Sequence, residues 1–189
     1  PDLVCMDITV ELDENGEAEI LPEDLIMINT DACGILFTSL DIFQFSCDDI
    51  GAPVTVTVFS QDNNGNLSSC AAVVTVVDLL VPVVTCPADI TVNSDPVSSF
   101  YEVPDYFATG EATALDNCTD PLTILTQDPA PNTLLSDGLY TVTMTAEDEY
   151  GNIGTCTFEL TVESVLGVDE NSLNLKSIVM YPNPANNIV

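Results

Sequence analysis

Oxygen donors and thiols are the residues with which this chain could do chemistry. Asp62, Asn64 and Asn66 alternate through one short stretch, and Asp148, Tyr150 and Asn152 hold the same places in a second. Carboxylate, amide and carbonyl oxygens are the ligands of calcium, which takes about six to eight of them. Neither stretch places a glutamate at the twelfth position, so neither is an EF-hand loop, and the competing reading is a pair of ordinary hairpin turns. Asp78, between the two halves of the chain, could bridge them through a cation, and Asp48, Asp49, Asp116 and Asp120 are further loop carboxylates. The calcium candidates are therefore Asp62, Asn64, Asn66, Asp78, Asp148 and Asn152, and calcium is the one cofactor the sequence suggests.

Seven cysteines recur at related spacings, with no Cys-x-x-Cys and no histidine. That pattern argues against zinc and for disulfides formed in an oxidising compartment. Cys5 with Cys70, and Cys86 with Cys156, would each tie a first strand to a last one. Cys33 with Cys47 would then close a small loop and leave Cys118 as the odd thiol. Cys5–Cys33 with Cys47–Cys70 is the alternative, and sequence alone does not choose between them.

Catalysis has few tools here. The chain has no histidine and no arginine, and Lys176 is its only basic residue. Acid–base work at neutral pH and the holding of an anion both lack their usual side chains. Carboxylate pairs are numerous enough that a glycosidase-like pair is not dismissed by counting, yet none stands out, and the expectation is a protein that is not an enzyme. The formal charge of −30 excludes nucleic acid, whose phosphates are bound by Lys and Arg. It excludes an anionic membrane surface for the same reason. With 46 % apolar residues the chain can bury a core, so disorder is not expected. No apolar run is long enough for a membrane span, so no membrane insertion is expected.

The elements that must position these groups come in two copies. The run from Asp62 to Cys70 returns without a gap as Asp148 to Cys156. Asp7-Ile8-Thr9-Val10 answers Asp89-Ile90-Thr91-Val92, and Asp31-Ala32-Cys33 answers Asp116-Asn117-Cys118. Self-similarity at this spacing marks tandem modules, here of roughly 80 residues. Val54, Val56 and Val58 alternate with Thr55 and Thr57, and Tyr140, Val142 and Met144 alternate with Thr141, Thr143 and Thr145. A period of two is the strand signature, and the Asn/Gly stretches between runs are hairpin turns. The expected fold is all-β: two tandem immunoglobulin-like β-sandwiches plus a C-terminal extended segment, divided as 1–79, 80–163 and 164–189. Residues 21–25 could form at most one helical turn. Tyr101, Tyr106 and Phe107 are expected to fill cores, and are the best aromatic patch if a surface one exists. The linker Val77-Asp78-Leu79-Leu80-Val81-Pro82 is short and apolar, which predicts a semi-rigid stack.

The second copy resembles the hyalin repeat, an immunoglobulin-like extracellular module. The likeness is carried by Cys86-Pro87, Asp89-Ile90-Thr91-Val92, Asp116-Asn117-Cys118, Gly138 before Thr141-Val142-Thr143, and Asp148 through Gly151-Asn152 to Cys156. The first copy is similar to relatives in large surface adhesins of Bacteroidetes, and departs in Met6, where Pro87 stands in the second, and in the added Cys47. The tail, with Leu166-Gly167-Val168-Asp169-Glu170 and then Tyr181-Pro182-Asn183-Pro184-Ala185-Asn186-Asn187, resembles the opening of a type IX secretion sorting domain. That resemblance implies export and a secreted, extracellular or cell-surface location. The chain stops at Val189, short of a full sorting sandwich.

These readings imply a non-enzymatic structural protein, a subunit of a surface fibre or the stalk of an adhesin. Residues Tyr181, Pro182, Asn183, Pro184, Ile188 and Val189 could then be added as a strand to a neighbouring sheet edge, making a homopolymer or a contact with neighbouring repeats. The alternatives are a calcium-dependent module that binds a glycan or protein ligand, and an accessory module of a secreted hydrolase.

Overall fold

The computed structural model describes residues 1–164. Within them the strand periodicity becomes two antiparallel-dominated sandwiches of matching topology. The first eight strands are β1 (Asp2–Cys5), β2 (Ile8–Glu11), β3 (Glu17–Glu19), β4 (Ile26–Thr30), β5 (Ile35–Leu40), β6 (Gln44–Ser46), β7 (Val54–Asp62) and β8 (Leu67–Val77). The next eight are β9 (Val83–Thr85), β10 (Ile90–Asn93), β11 (Tyr101–Glu102), β12 (Thr113–Leu115), β13 (Ile124–Asp128), β14 (Leu134–Leu135), β15 (Gly138–Glu147) and β16 (Ile153–Glu163). In the first unit one sheet has the order β2-β8-β7-β5, faced by the pairs β1-β4 and β3-β6. In the second the order is β10-β16-β15-β13, faced by β9-β12 and β11-β14. Every strand of one unit therefore has a counterpart in the other.

The longest hairpins carry the alternation that marked them in sequence. Val56 and Val58 on β7 and Val74 and Val76 on β8 are buried, while Thr55 and Thr75 face out. In the second unit Val142, Met144 and Ala146 on β15, with Phe158, Leu160 and Val162 on β16, do the same. Each such side chain contributes about 1.5–3 kcal/mol when fully removed from water. Both cores close with residues on or beside the facing pairs: Leu25 of the helical turn and Phe45 of β6 in the first, Val103 and Tyr106 just after β11 in the second. The Tyr106 ring meets Phe158 edge-on, with centroids 5.0 Å apart. Tyr101 and Phe107 pack against the same core, so the three aromatics are core residues, and Tyr106 offers no surface patch. Pro22–Leu25 makes a single helical turn, begun by proline where its missing N–H costs nothing.

The first strand of each unit is tied to the last by a disulfide, Cys5–Cys70 and Cys86–Cys156, with Cα separations of 5.8 and 5.9 Å. The expected Cys33–Cys47 loop does not form, and Cys118 is not the odd thiol. Cys47 bonds Cys118, and Cys33 is the free, exposed cysteine among the described residues. Register explains the correction. Cys33 lies in the turn before β5, where its carbonyl accepts a hydrogen bond from Asn63 Nδ2 at 2.7 Å, beside the β7–β8 hairpin. Cys47 lies at the other end of β7, next to Ile50, which bridges Val76. A strand as long as β7 spans about 30 Å, whereas bridged cysteines need Cα atoms within about 7 Å.

The proposed secretion tail, including Tyr181, Pro182, Asn183, Pro184, Ile188 and Val189, lies outside the described residues.

Candidate functional site

Strand polarity brings opposite ends of the two units together. β2 and β8 run parallel and exit the first unit side by side, at Glu11 and Val77. The chain continues through Asp78 and Pro82 into β9, and the β15–β16 hairpin of the second unit points back at the same place. Pro82 lies directly over Gly154 of β16, so close that a Cβ there would overlap the Pro82 carbonyl. Glycine at 154 is thus a packing requirement of the linker.

Two loops complete the junction. Cys47 begins a short 3-10 turn (Cys47–Asp49), closed by a hydrogen bond from Ser46 N to Asp49 Oδ2 at 2.9 Å. Cys118 sits in a loop where Asp116 Oδ2 accepts from Cys118 N and Thr119 N, at 3.0 and 2.8 Å. The Cys47–Cys118 bond, with a Cα separation of 5.4 Å, joins these loops and hence the two units. Gly16 lies beneath it at φ +73°, and a side chain there would meet Cys47 Sγ and the Asn117 carbonyl. Asn117 Nδ2 adds polar contacts across the boundary, donating to Asp13 O and to Asp78 Oδ1, both at 3.2 Å.

Behind the disulfide, Asp78, Asp116 and Asp148 bring one carboxylate oxygen each to within 4.8 Å of one another. Their sources are the linker, the loop after β12 and the β15–β16 hairpin. Asp148 is held by its own turn: Oδ1 accepts from Tyr150 N and Asn152 N at 2.9 and 2.7 Å, and Oδ2 from Asn152 Nδ2 at 2.7 Å. Asn152 Nδ2 also donates to the Asp78 carbonyl at 3.2 Å, pinning the linker to the hairpin. Asp78 and Asp148 are 4 % and 2 % exposed. Asp78 Oδ1 takes Leu80 N and Asn117 Nδ2, while Asp78 Oδ2, Asp116 Oδ1 and Asn117 Oδ1 are buried with no hydrogen-bond partner. The Tyr150 phenol beside them is pushed above its ordinary pKa, first by burial and then by the negative charges of Glu149, Asp78, Asp148 and Asp116.

The sequence candidates divide accordingly. Asp78, Asp148 and Asn152 meet at the junction. Asp62, Asn64 and Asn66 lie at the far end of the first unit, where Asp62 accepts Asn64 N, Asn66 N and Asn66 Nδ2 in the same turn geometry as Asp148. Hydrogen bonds to the charged form, that of the Asn66 side chain foremost, hold the Asp62 carboxyl below its ordinary pKa. Asp116 completes the junction trio. Its signal in the sequence was the repeated Asp-x-Cys of Asp31-Ala32-Cys33 and Asp116-Asn117-Cys118.

A surface groove of about 700 Å³ is lined by Glu11, Asp13, Glu17, Glu19, Gln44, Ser46 and Asp49 among others. Among the described residues no helix is long and apolar enough to cross a membrane.

Comparison with known families places the second unit. Residues 77–162 match the HYR domain. The HYR match begins at the last residue of β8 and ends on β16, so it spans the linker, the junction carboxylates and the whole second sandwich. No curated protein matches the chain. Solved structures similar to it include human mucin-like protocadherin EC1-2, at 14 % identity over 87 % of this chain and 98 % of that one, with a TM-score of 0.29. The Clostridium thermocellum CbhA fibronectin(III)-like modules align at 10 % identity over 85 % and 91 %, with a TM-score of 0.30. DIP-gamma IG1+IG2 aligns at 11 % identity over 86 % and 97 %, with a TM-score of 0.28.

Proposed function

We propose that this chain is a stiff segment of a secreted, non-enzymatic fibre or adhesin stalk. The observation that carries the reading is the Cys47–Cys118 bond, which crosses the boundary between two sandwiches that are each already closed by their own disulfide. A binding module needs to present a surface, and a fixed angle to its neighbour adds nothing to that. A load-bearing or spacing element needs the angle fixed. The short linker, the Pro82–Gly154 contact and the Asn117 bonds serve the same end. The HYR domain match and the disulfides support an extracellular location.

The reading also accounts for the exposed thiol. Cys33 holds in the first unit the place that Cys118 holds in the second, after an aspartate two residues earlier that caps the loop in both: Asp31 Oδ1 accepts Cys33 N at 2.8 Å. The far end of the first unit thus carries the same Asp–Cys loop and the same Asp–Asn hairpin that the second unit uses at its junction. Neighbouring repeats or copies of this chain are the partners such an end fits.

Small-angle scattering tests the reading. The oxidised chain should scatter as one elongated particle of fixed shape, and the Cys47→Ser/Cys118→Ser double variant should show a broadened distribution of maximum dimension. Equal flexibility in both would remove the basis for a rod.

A further inference from the structure

We propose that Asp78, Asp116 and Asp148 bind a calcium ion at the junction, and that the ion fixes the linker against the second unit. The site does not depend on what the rod carries or joins.

Two independent observations meet here. The first is convergence: oxygens of three carboxylates, from three separate segments, lie within 4.8 Å of one another. Anionic oxygens that close repel each other, and the chain's only basic side chain, Lys176, lies outside the described residues, so no Lys, Arg or His among the described residues offsets them. The second is that the oxygens are left over. Asp78 is 96 % buried, and its Oδ1 has two donors while Oδ2 has none. Asp116 uses Oδ2 for its own loop and leaves Oδ1 buried and unpartnered. A folded protein seldom leaves buried carboxylate oxygens without a donor, and a cation satisfies both at once. Asn117 Oδ1, a neutral amide oxygen likewise buried and unpartnered beside Asp78, is the candidate fourth ligand.

The donor set names the ion. It is all oxygen and carries three negative charges, which selects hard cations over zinc or copper. Magnesium demands a near-ideal octahedron, and three carboxylates from three separate segments supply only part of one. Calcium accepts irregular sets and completes them with water. The hairpin carboxylate of Asp62 shares the turn geometry of Asp148, and is the natural internal control.

Tyr150 supplies the readout, because it adjoins Asp148 and senses all three carboxylates. Terbium bound at the site should show tyrosine-sensitised luminescence that excess calcium displaces. Asp116→Asn and Asp78→Asn should each weaken terbium and calcium binding by roughly tenfold or more, and Asp62→Asn should leave both unchanged. The thermal response should invert. With calcium the Asp116→Asn protein should melt below the parent; in chelator it should melt no lower, because a repulsive charge has gone. Luminescence that calcium does not displace, equal binding by parent and both junction variants, or a calcium stabilisation no larger than sodium chloride gives at matched ionic strength would each overturn the site.

Discussion

Cys47 and Cys118 are 71 residues apart in sequence and joined across the boundary of two folded units, with Cα atoms 5.4 Å apart. Neither residue lies on a long strand. Cys47 opens a turn at the exit end of the first sandwich, and Cys118 sits in a loop at the entry end of the second, in reach of the first unit's core. The bond converts a short linker into a double connection between the units.

Removing that connection should lower stability as well as stiffness. Cys47→Ser/Cys118→Ser opens a loop of this length, worth up to about 4 kcal/mol by the chain-entropy argument. The expected result is a lower melting temperature for the double variant under oxidising conditions, measured by calorimetry. The parent should fall to a similar value when mild reductant opens this bond.

Cys33 should be the cysteine that a maleimide labels in the native, unreduced protein, because it is exposed and unpaired while the other six are in disulfides. Intact-mass measurement should show one adduct per chain, absent from Cys33→Ser. A Cys118 adduct would contradict the pairing.

Gly154→Ala should destabilise the junction by about 1–3 kcal/mol, the cost of forcing atoms into a filled space. The added methyl group would collide with the Pro82 carbonyl, and the backbone has no flexible side chain to yield. Chemical denaturation of parent and variant measures it.

Acid should weaken the aspartate-capped turns in a defined window. The Asp62 carboxyl is held below its ordinary value of 3.8 by hydrogen bonds to its charged form, led by the Asn66 side chain. A depressed folded-state pKa gives stability that is fully present above the unfolded value and is lost as pH falls through the folded one. Asp13 and Asp95 are lowered as well, chiefly by backbone N–H groups of Glu17 and Ser98 respectively. Melting temperature should therefore decline as pH falls below about 4, with a shallower decline in Asp62→Asn, followed by circular dichroism.

The sandwiches were legible because the alternation of Val56 and Val58 with Thr55 and Thr57, and its copy around Val142 and Met144, records burial on one face directly. The copy also made Cys5–Cys70 and Cys86–Cys156 natural pairs. The junction was less legible because its contacts join unlike positions of the two copies. Cys47 has no counterpart in the second unit, which is what a cysteine used outside its own module looks like. Reading it as a partner for Cys33 treated the module as self-contained. Asp78 and Asp148 were visible as candidate ligands, but Asp116 joins them only because hairpin and linker fold back to one end. Side-chain spacing along the chain carries no record of that meeting.

The measurement that bears most directly on this account is disulfide mapping by mass spectrometry of the unreduced protein. Trypsin has only Lys176 to cut at, so an acid-directed protease is used on a chain with 31 acidic residues. The account predicts a cross-linked pair of peptides containing Cys47 and Cys118, with Cys33 recovered as a free thiol. A Cys33–Cys47 pair with Cys118 free would contradict it, and with it the fixed junction on which the rod depends.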